Sequence, residues 1–201
     1  MPLDKLHMTA LEVTHSLTKE EIETLLHSLS AKVSEITDYT LDHRARLVKP
    51  MLSYDSAAIA LSFLPAAGEG VDGGRTLRDD HYTYHHLRRD LYDLCKESGV
   101  TVASRYTVPS AHLTFGRFIT QADFSTTDRD GSVVPALEKR KEWIEVIEGI
   151  NSWLQDEHWP RGSSTIRGGG EWIVGKEKGL DCRKGSLWYG GGETVRLGKG
   201  F

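Results

Sequence analysis

The chain has 201 residues, enough for one domain with a substantial core. Its 25 Lys and Arg against 29 Asp and Glu leave a formal charge of -4, which excludes a broad nucleic-acid coat but leaves room for a small basic pocket. No run approaches the roughly 20 apolar residues of a membrane span, the charged start lacks the apolar core of a signal peptide, and Cys95 and Cys182 form neither a metal nor a redox spacing. Expectation is therefore a reducing compartment, the cytoplasm or the nucleus, with no membrane partner.

Residues 6–14 read as a strand that begins Leu6-His-Met-Thr. Side chains two apart on a strand share a face, so His7 and Thr9 stand together. His15 has the same parity but reads as a surface histidine at the strand end. Thr18-Lys-Glu-Glu21 is a capping box. It opens a helix whose Ile22, Leu25, Leu26, Leu29, Val33 and Ile36 recur at helical spacing. Residues 47–52 and 57–64 read as two strands joined by a turn at Tyr54-Asp55-Ser56. A glycine-rich loop follows. A helix over residues 80–98 then presents Leu87, Leu91 and Leu94, and Gly99 stops it. His81 and His85 have an i, i+4 metal-binding spacing, yet no third ligand is evident, and a solvated helix face explains them.

Residues 102–119 form the next strand region, with a bend at Pro109. There His112 and Thr114 repeat the shared-face arrangement. Arg117 falls on the opposite face by strict alternation; a bulge at Gly116 would swing it back. After a polar, turn-rich stretch a long helix runs from about Pro135 to Leu154. Its expected buried stripe is Leu137, Ile144, Ile147, Ile150 and Leu154, bordered by Trp143 and Trp153. Short strands are expected over residues 171–174, 187–189 and 194–197.

A lone His-x-Ser/Thr is weak evidence in a chain with 9 histidines, and His81-Tyr82-Thr83 is a chance match in a polar helix start. His7 and His112 differ because both lie in apolar, β-prone runs that lead into helices. An imidazole beside a hydroxyl can move a proton and hold an anionic oxygen at once. The pair His7-Met-Thr-Ala10 and His112-Leu-Thr-Phe115 resembles the double H-x-T-x signature of the two-histidine (LigT-like) phosphoesterases. The nearest resemblance is to fungal RNA ligase/cyclic nucleotide phosphodiesterase-like proteins. It extends over Tyr82-Thr-Tyr-His-His-Leu-Arg-Arg-Asp90, Gly179-Leu-Asp-Cys-Arg-Lys-Gly185 and Leu187-Trp-Tyr-Gly-Gly-Gly192.

The resemblance implies an α+β fold over residues 1–201. It is bilobal, with two antiparallel sheets flanked by helices around a central cleft. It also implies hydrolysis of a 2′,3′-cyclic phosphate on a nucleotide or RNA terminus without metal or cofactor. His7 and His112 would be base and acid, in an order the sequence leaves open, and Thr9 and Thr114 would hold the phosphate. Arg117 is a further phosphate-binding candidate. Tyr106, Phe115, Trp172 and Trp188 are aromatics on or near strands that could stack on a base, and Tyr106 is carried as substrate-binding. Only residues 1–5 precede the first motif strand, where family members carry another strand. A second copy of the chain, as a homodimer, would cover that edge. Two other activities stay open: a nucleotide-binding module without turnover, and 2′,5′-ligation or other RNA-end processing.

Overall fold

The computed structural model describes residues 1–69, 77–103, 111–161, 168–187 and 191–201. The chain is α+β. Four α-helices, α1 (Lys19–Leu29), α2 (Val33–Asp38), α3 (Tyr84–Glu97) and α4 (Leu137–His158), accompany antiparallel sheets among the described residues. The main sheet has four strands: β1 (Arg46–Tyr54), β2 (Ala58–Pro65), β3 (Ala111–Arg117) and β6 (Glu171–Ile173), in the order β3-β2-β1-β6. Two ribbons complete the fold. One is β4 (Ser125–Thr127) with β5 (Val133–Pro135), the other β7 (Lys178–Lys184) with β8 (Glu193–Lys199). Among the described residues no helix is long and apolar enough to cross a membrane.

The β1–β2 hairpin closes where the turn residues indicate. Asp55 Oδ1 accepts from the amides of Ala57 and Ala58 at 2.7 and 2.8 Å, a side-chain-stabilised turn. Pleating then separates two faces. Leu61 and Phe63 of β2 stand beside Leu113 and Ala111 of β3. They pack with Leu47, Val174 and the Tyr84, Leu87 and Leu91 face of α3. A bulge in β1 between Val48 and Met51 adds one residue, with Lys49 at φ 57°; Leu47 and Leu52 therefore both keep to the core side.

The outer edge of β1 beyond its short pairing with β6 is covered by α4. Asn151 accepts from the Leu52 amide at 2.6 Å and donates to the Leu52 carbonyl at 3.1 Å, as a neighbouring strand would. Trp159 Nε1 donates to Pro50 O at 2.8 Å. This is one way to remove a free sheet edge. It also corrects the expected stripe of α4. Ile147 and Leu154 are buried, but Leu137, Ile144 and Ile150 are exposed, because the face that meets β1 runs through Ile147, Asn151 and Leu154. Trp143 lies edge-on to Tyr54, Phe118 and Phe124 and anchors the other end.

Other boundaries differ from expectation. The first helix stops at Leu29, where the Ser30 amide bonds back to His27 O in a tightened last turn; Val33 and Ile36 belong to the separate α2. Pro135 ends β5 instead of opening α4. Strand β7 lies between the strands expected over residues 171–174 and 187–189, while Trp188 and Tyr189 of the latter lie outside the described residues. The β7–β8 ribbon docks on α2 through paired glycines. A Cβ on Gly179 would lie 2.6 Å from Thr37 O, and one on Gly198 would overlap the same carbonyl. Arg196 donates to Asp38 Oδ2 at 2.7 Å and to the Thr37 hydroxyl, closing the contact. Gly198→Ala therefore lowers stability by about 1–3 kcal/mol through overpacking. An unchanged urea midpoint for that variant would contradict the close approach.

Candidate active site

Strand β3 carries the second motif in the middle of its pairing with β2. His112 stands opposite Ser62 and Thr114 opposite Ala60. Directly opposed residues share a face, and this one is the reverse of the Leu61–Leu113 core face. The face is polar: Ser62 Oγ lies 2.5 Å from Ser53 Oγ of β1, so a hydroxyl row continues from His112 across the sheet. His112 and Thr114 are half-buried.

The first motif does not form the continuous strand expected over residues 6–14. Its residues make an isolated antiparallel bridge, Met8 with Leu113, on the edge of β3 away from β2. Met8 packs against the core beside Leu113. By alternation His7 and Thr9 then turn to the other side, the side of His112 and Thr114. An antiparallel register continued one residue to either side of that bridge would set His7 across from Thr114 and Thr9 across from His112. In that register the two histidines would be diagonal neighbours, a relation in which residues lie about 7–8 Å apart and their Cβ atoms somewhat closer. Such a register would relate the two motifs by a local two-fold through Met8 and Leu113. The chain start follows the same edge, with the Met1 amino group donating to Phe115 O at 2.8 Å. Residues 3–5 form a 3-10 turn where the resemblance implies a strand.

His7 is exposed, and its Nδ1 lies 2.9 Å from Lys5 O. A carbonyl can only accept, so Nδ1 carries the proton in this bond. Nε2 is left as the nitrogen that takes up or releases a proton. Thr9 beside it is exposed as well.

Arg117 reaches the same face through the bulge. Ala60 pairs with Thr114 but Ile59 pairs with Gly116, so β3 spends one extra residue, Phe115. Arg117 then stands opposite Ala58, which alternates with Ala60 and Ser62. It follows Thr114 by one step on the face, next to the His7–Thr114 row. A Cβ built on Gly116 meets nothing within 4 Å, so there is open space beside it. Arg117 also lies near Asp55, whose carboxyl is held below its usual range mainly by the Ala57 and Ala58 amides and to a lesser degree by that guanidinium.

Of the aromatics, Trp172 turns to the core, edge-on to Phe63 at 5.9 Å between centroids. Tyr106 and Trp188 lie outside the described residues. His86 closes the α3 capping box with Thr83, and among the described residues no group of three or more His, Cys, Asp or Glu converges as a metal site. His15 bonds Ser16 Oγ at 3.1 Å on the surface.

Sequence reading missed the residues that hold the first motif in place. Tyr84 OH donates to Thr9 O at 3.3 Å, and Arg88 Nε donates to Ala10 O at 2.8 Å. Both side chains come from α3 and both are buried. Burial pushes the Tyr84 phenol up to about 12, against a smaller opposing effect of Arg88, so the hydroxyl stays a donor at neutral pH. The Tyr82–Asp90 segment stood out in the sequence, but backbone carbonyls leave no mark there. Asp90 on the same helix accepts from Tyr82 at 2.8 Å and Tyr39 at 3.1 Å. Burial raises its carboxyl, but the bonds from Arg89, Tyr82 and Tyr39 outweigh that and hold it below the usual range.

Comparison of the chain with protein-family models, curated proteins and solved structures finds no match.

Proposed function

We propose that the chain is a cyclic phosphodiesterase that opens the 2′,3′-cyclic phosphate of a nucleotide or RNA terminus by two-histidine acid–base chemistry. The observation that supports this reading is the Met8–Leu113 bridge, which brings the first motif to the edge of the strand that carries the second; alternation continued from it turns both His-x-Thr pairs to one face. One neutral imidazole takes a proton from water as it attacks phosphorus. The other, protonated, gives a proton to the leaving ribose oxygen, and the P–O bond of the ring breaks. The hydroxyls of Thr9 and Thr114 donate to the non-bridging oxygens, where charge accumulates. Arg117, one step along the face, adds a cation on the phosphate side. The two-lobed, cleft-centred arrangement of the two-histidine phosphoesterases belongs to this proposal; its support is the shared face and the local two-fold that the continued register would give the motifs. The proposed setting is cytoplasmic or nuclear.

The test is turnover of 2′,3′-cyclic AMP followed by product separation, with and without chelator. A single nucleoside monophosphate forming at the same rate in both supports the proposal. Affinity without product would leave a nucleotide-binding module, and a chelator-sensitive rate would overturn the metal-free mechanism. Thr9→Val and Thr114→Val each raise the barrier by about 2–4 kcal/mol, seen in kcat rather than in the fold. Equal kcat in both variants and the parent would remove the threonines from the chemistry.

A further inference from the structure

The two motifs share a face but are not held alike. His112 sits in β3 with a full strand, β2, beside it. His7 belongs to a segment with one bridge to β3, so its backbone lacks a ladder of its own. An imidazole on such a segment would wander unless something else fixed the main chain, and a misplacement of about 1 Å costs roughly 100-fold in rate.

We propose that Arg88, with Tyr84 as its helper, is a positioning residue that fixes the first catalytic histidine by clamping the carbonyls that follow it. The inference rests on the two-histidine reading and adds to it a residue that acts through the main chain of the first motif. Tyr84 and Arg88 are four apart on α3 and so lie one above the other on a single helix face. Their donors meet consecutive carbonyls, Thr9 O and Ala10 O. Tyr84 is fully buried and Arg88 is 7% exposed. A buried guanidinium is costly unless its donors are used, so the Ala10 carbonyl is a fixed partner rather than a passing contact. Beyond it, the Ala103 amide donates to Val13 O at 2.7 Å, and ahead of His7 the Met1 amino group donates to Phe115 O at 2.8 Å. The segment is thus pinned on both sides of Thr9, and α3 sets where His7 stands relative to His112. The helix is itself seated in the core by Leu87 and Leu91.

The experiment compares Arg88→Met, Arg88→Lys and Tyr84→Phe with the parent. It measures kcat and KM for 2′,3′-cyclic AMP, together with the imidazole signals of ¹⁵N-histidine-labelled protein assigned through His7→Gln and His112→Gln. In Arg88→Met the His7 signal shifts or broadens while that of His112 holds. There kcat falls about 100-fold and KM changes by less than about threefold. Arg88→Lys recovers part of kcat because an ammonium can still reach the carbonyl, and Tyr84→Phe loses about tenfold, having lost the longer bond. Should Arg88→Met not fold, Arg88→Lys and Tyr84→Phe give the answer by the same signals. An undisturbed His7 signal with parental kcat overturns the proposal. So does equal disturbance of both histidines, which would make Arg88 a general scaffold residue. If the parent protein turns over no cyclic nucleotide, the two-histidine chemistry fails, and the His7 signal alone still decides whether Arg88 positions that side chain.

Discussion

His7→Ala and His112→Ala each lower hydrolysis of a 2′,3′-cyclic nucleotide by about 10²–10⁴-fold while the circular dichroism and unfolding midpoint stay near those of the parent. Loss of either ring leaves one proton transfer without an agent, so each single variant is nearly as slow as the double variant. The fold tolerates both changes for a local reason. His7 is exposed and bonds a nearby carbonyl, and His112 is half-buried on the polar face rather than among the core side chains. On this account the parent's kcat/KM should show a bell-shaped dependence on pH, and each variant should lose one limb of it. That distinguishes acid from base, a distinction neither the spacing nor the fold makes. Parental activity in either variant would defeat the mechanism.

Asp80→Asn lowers folding stability by about 3–5 kcal/mol. Arg46 of β1 meets Asp80 through a fork, Nε to Oδ1 at 3.0 Å and Nη2 to Oδ2 at 2.5 Å. The two side chains are 1% and 2% exposed. Hydrogen bonding to Asp80 pushes the Arg46 guanidinium up, against burial, and Glu171 of β6 adds a bond at 2.9 Å. Gly68 N donates to Asp80 Oδ2 at 2.8 Å, so the carboxylate also ties down the chain leaving β2. An amide in its place leaves a buried cation short of its main counter-charge and faces donors with an amino group. Such a loss is a large fraction of the about 5–15 kcal/mol that holds a typical domain. The double variant Arg46→Met with Asp80→Leu loses less, because the lone buried charge is gone. Urea midpoints measure both. Equal midpoints for Asp80→Asn and the parent would mean that the pair is not buried in solution.

Legibility in the sequence followed how local each signal was. The Thr18–Glu21 capping box, the Asp55 turn and the Gly99 stop are set by neighbours within a few residues, and each forms as read. The bulge beside Gly116 was legible because glycine interrupts the alternation of Leu113 and Phe115, and it returns Arg117 to the face of His112. The length of the first motif strand was not legible. Its alternation is good, yet its backbone is satisfied partly by Arg88, 78 residues away from Ala10. Helix α4 misled for another reason. Apolar side chains surround it on several sides, and Asn151, a polar residue, marks the side that meets β1. Strand β7, Lys-Gly-Leu-Asp-Cys-Arg-Lys, offers only the short alternation of Leu180 and Cys182, and its ribbon reaches α2 because Gly179 and Gly198 permit the close approach.

The direct test is a crystal structure of the protein soaked or grown with inorganic phosphate. One phosphate should lie within hydrogen-bond distance of both the His7 and His112 rings, with the Thr9 and Thr114 hydroxyls on its remaining oxygens. A phosphate held by one ring alone, or two rings facing separate hollows, would contradict the account.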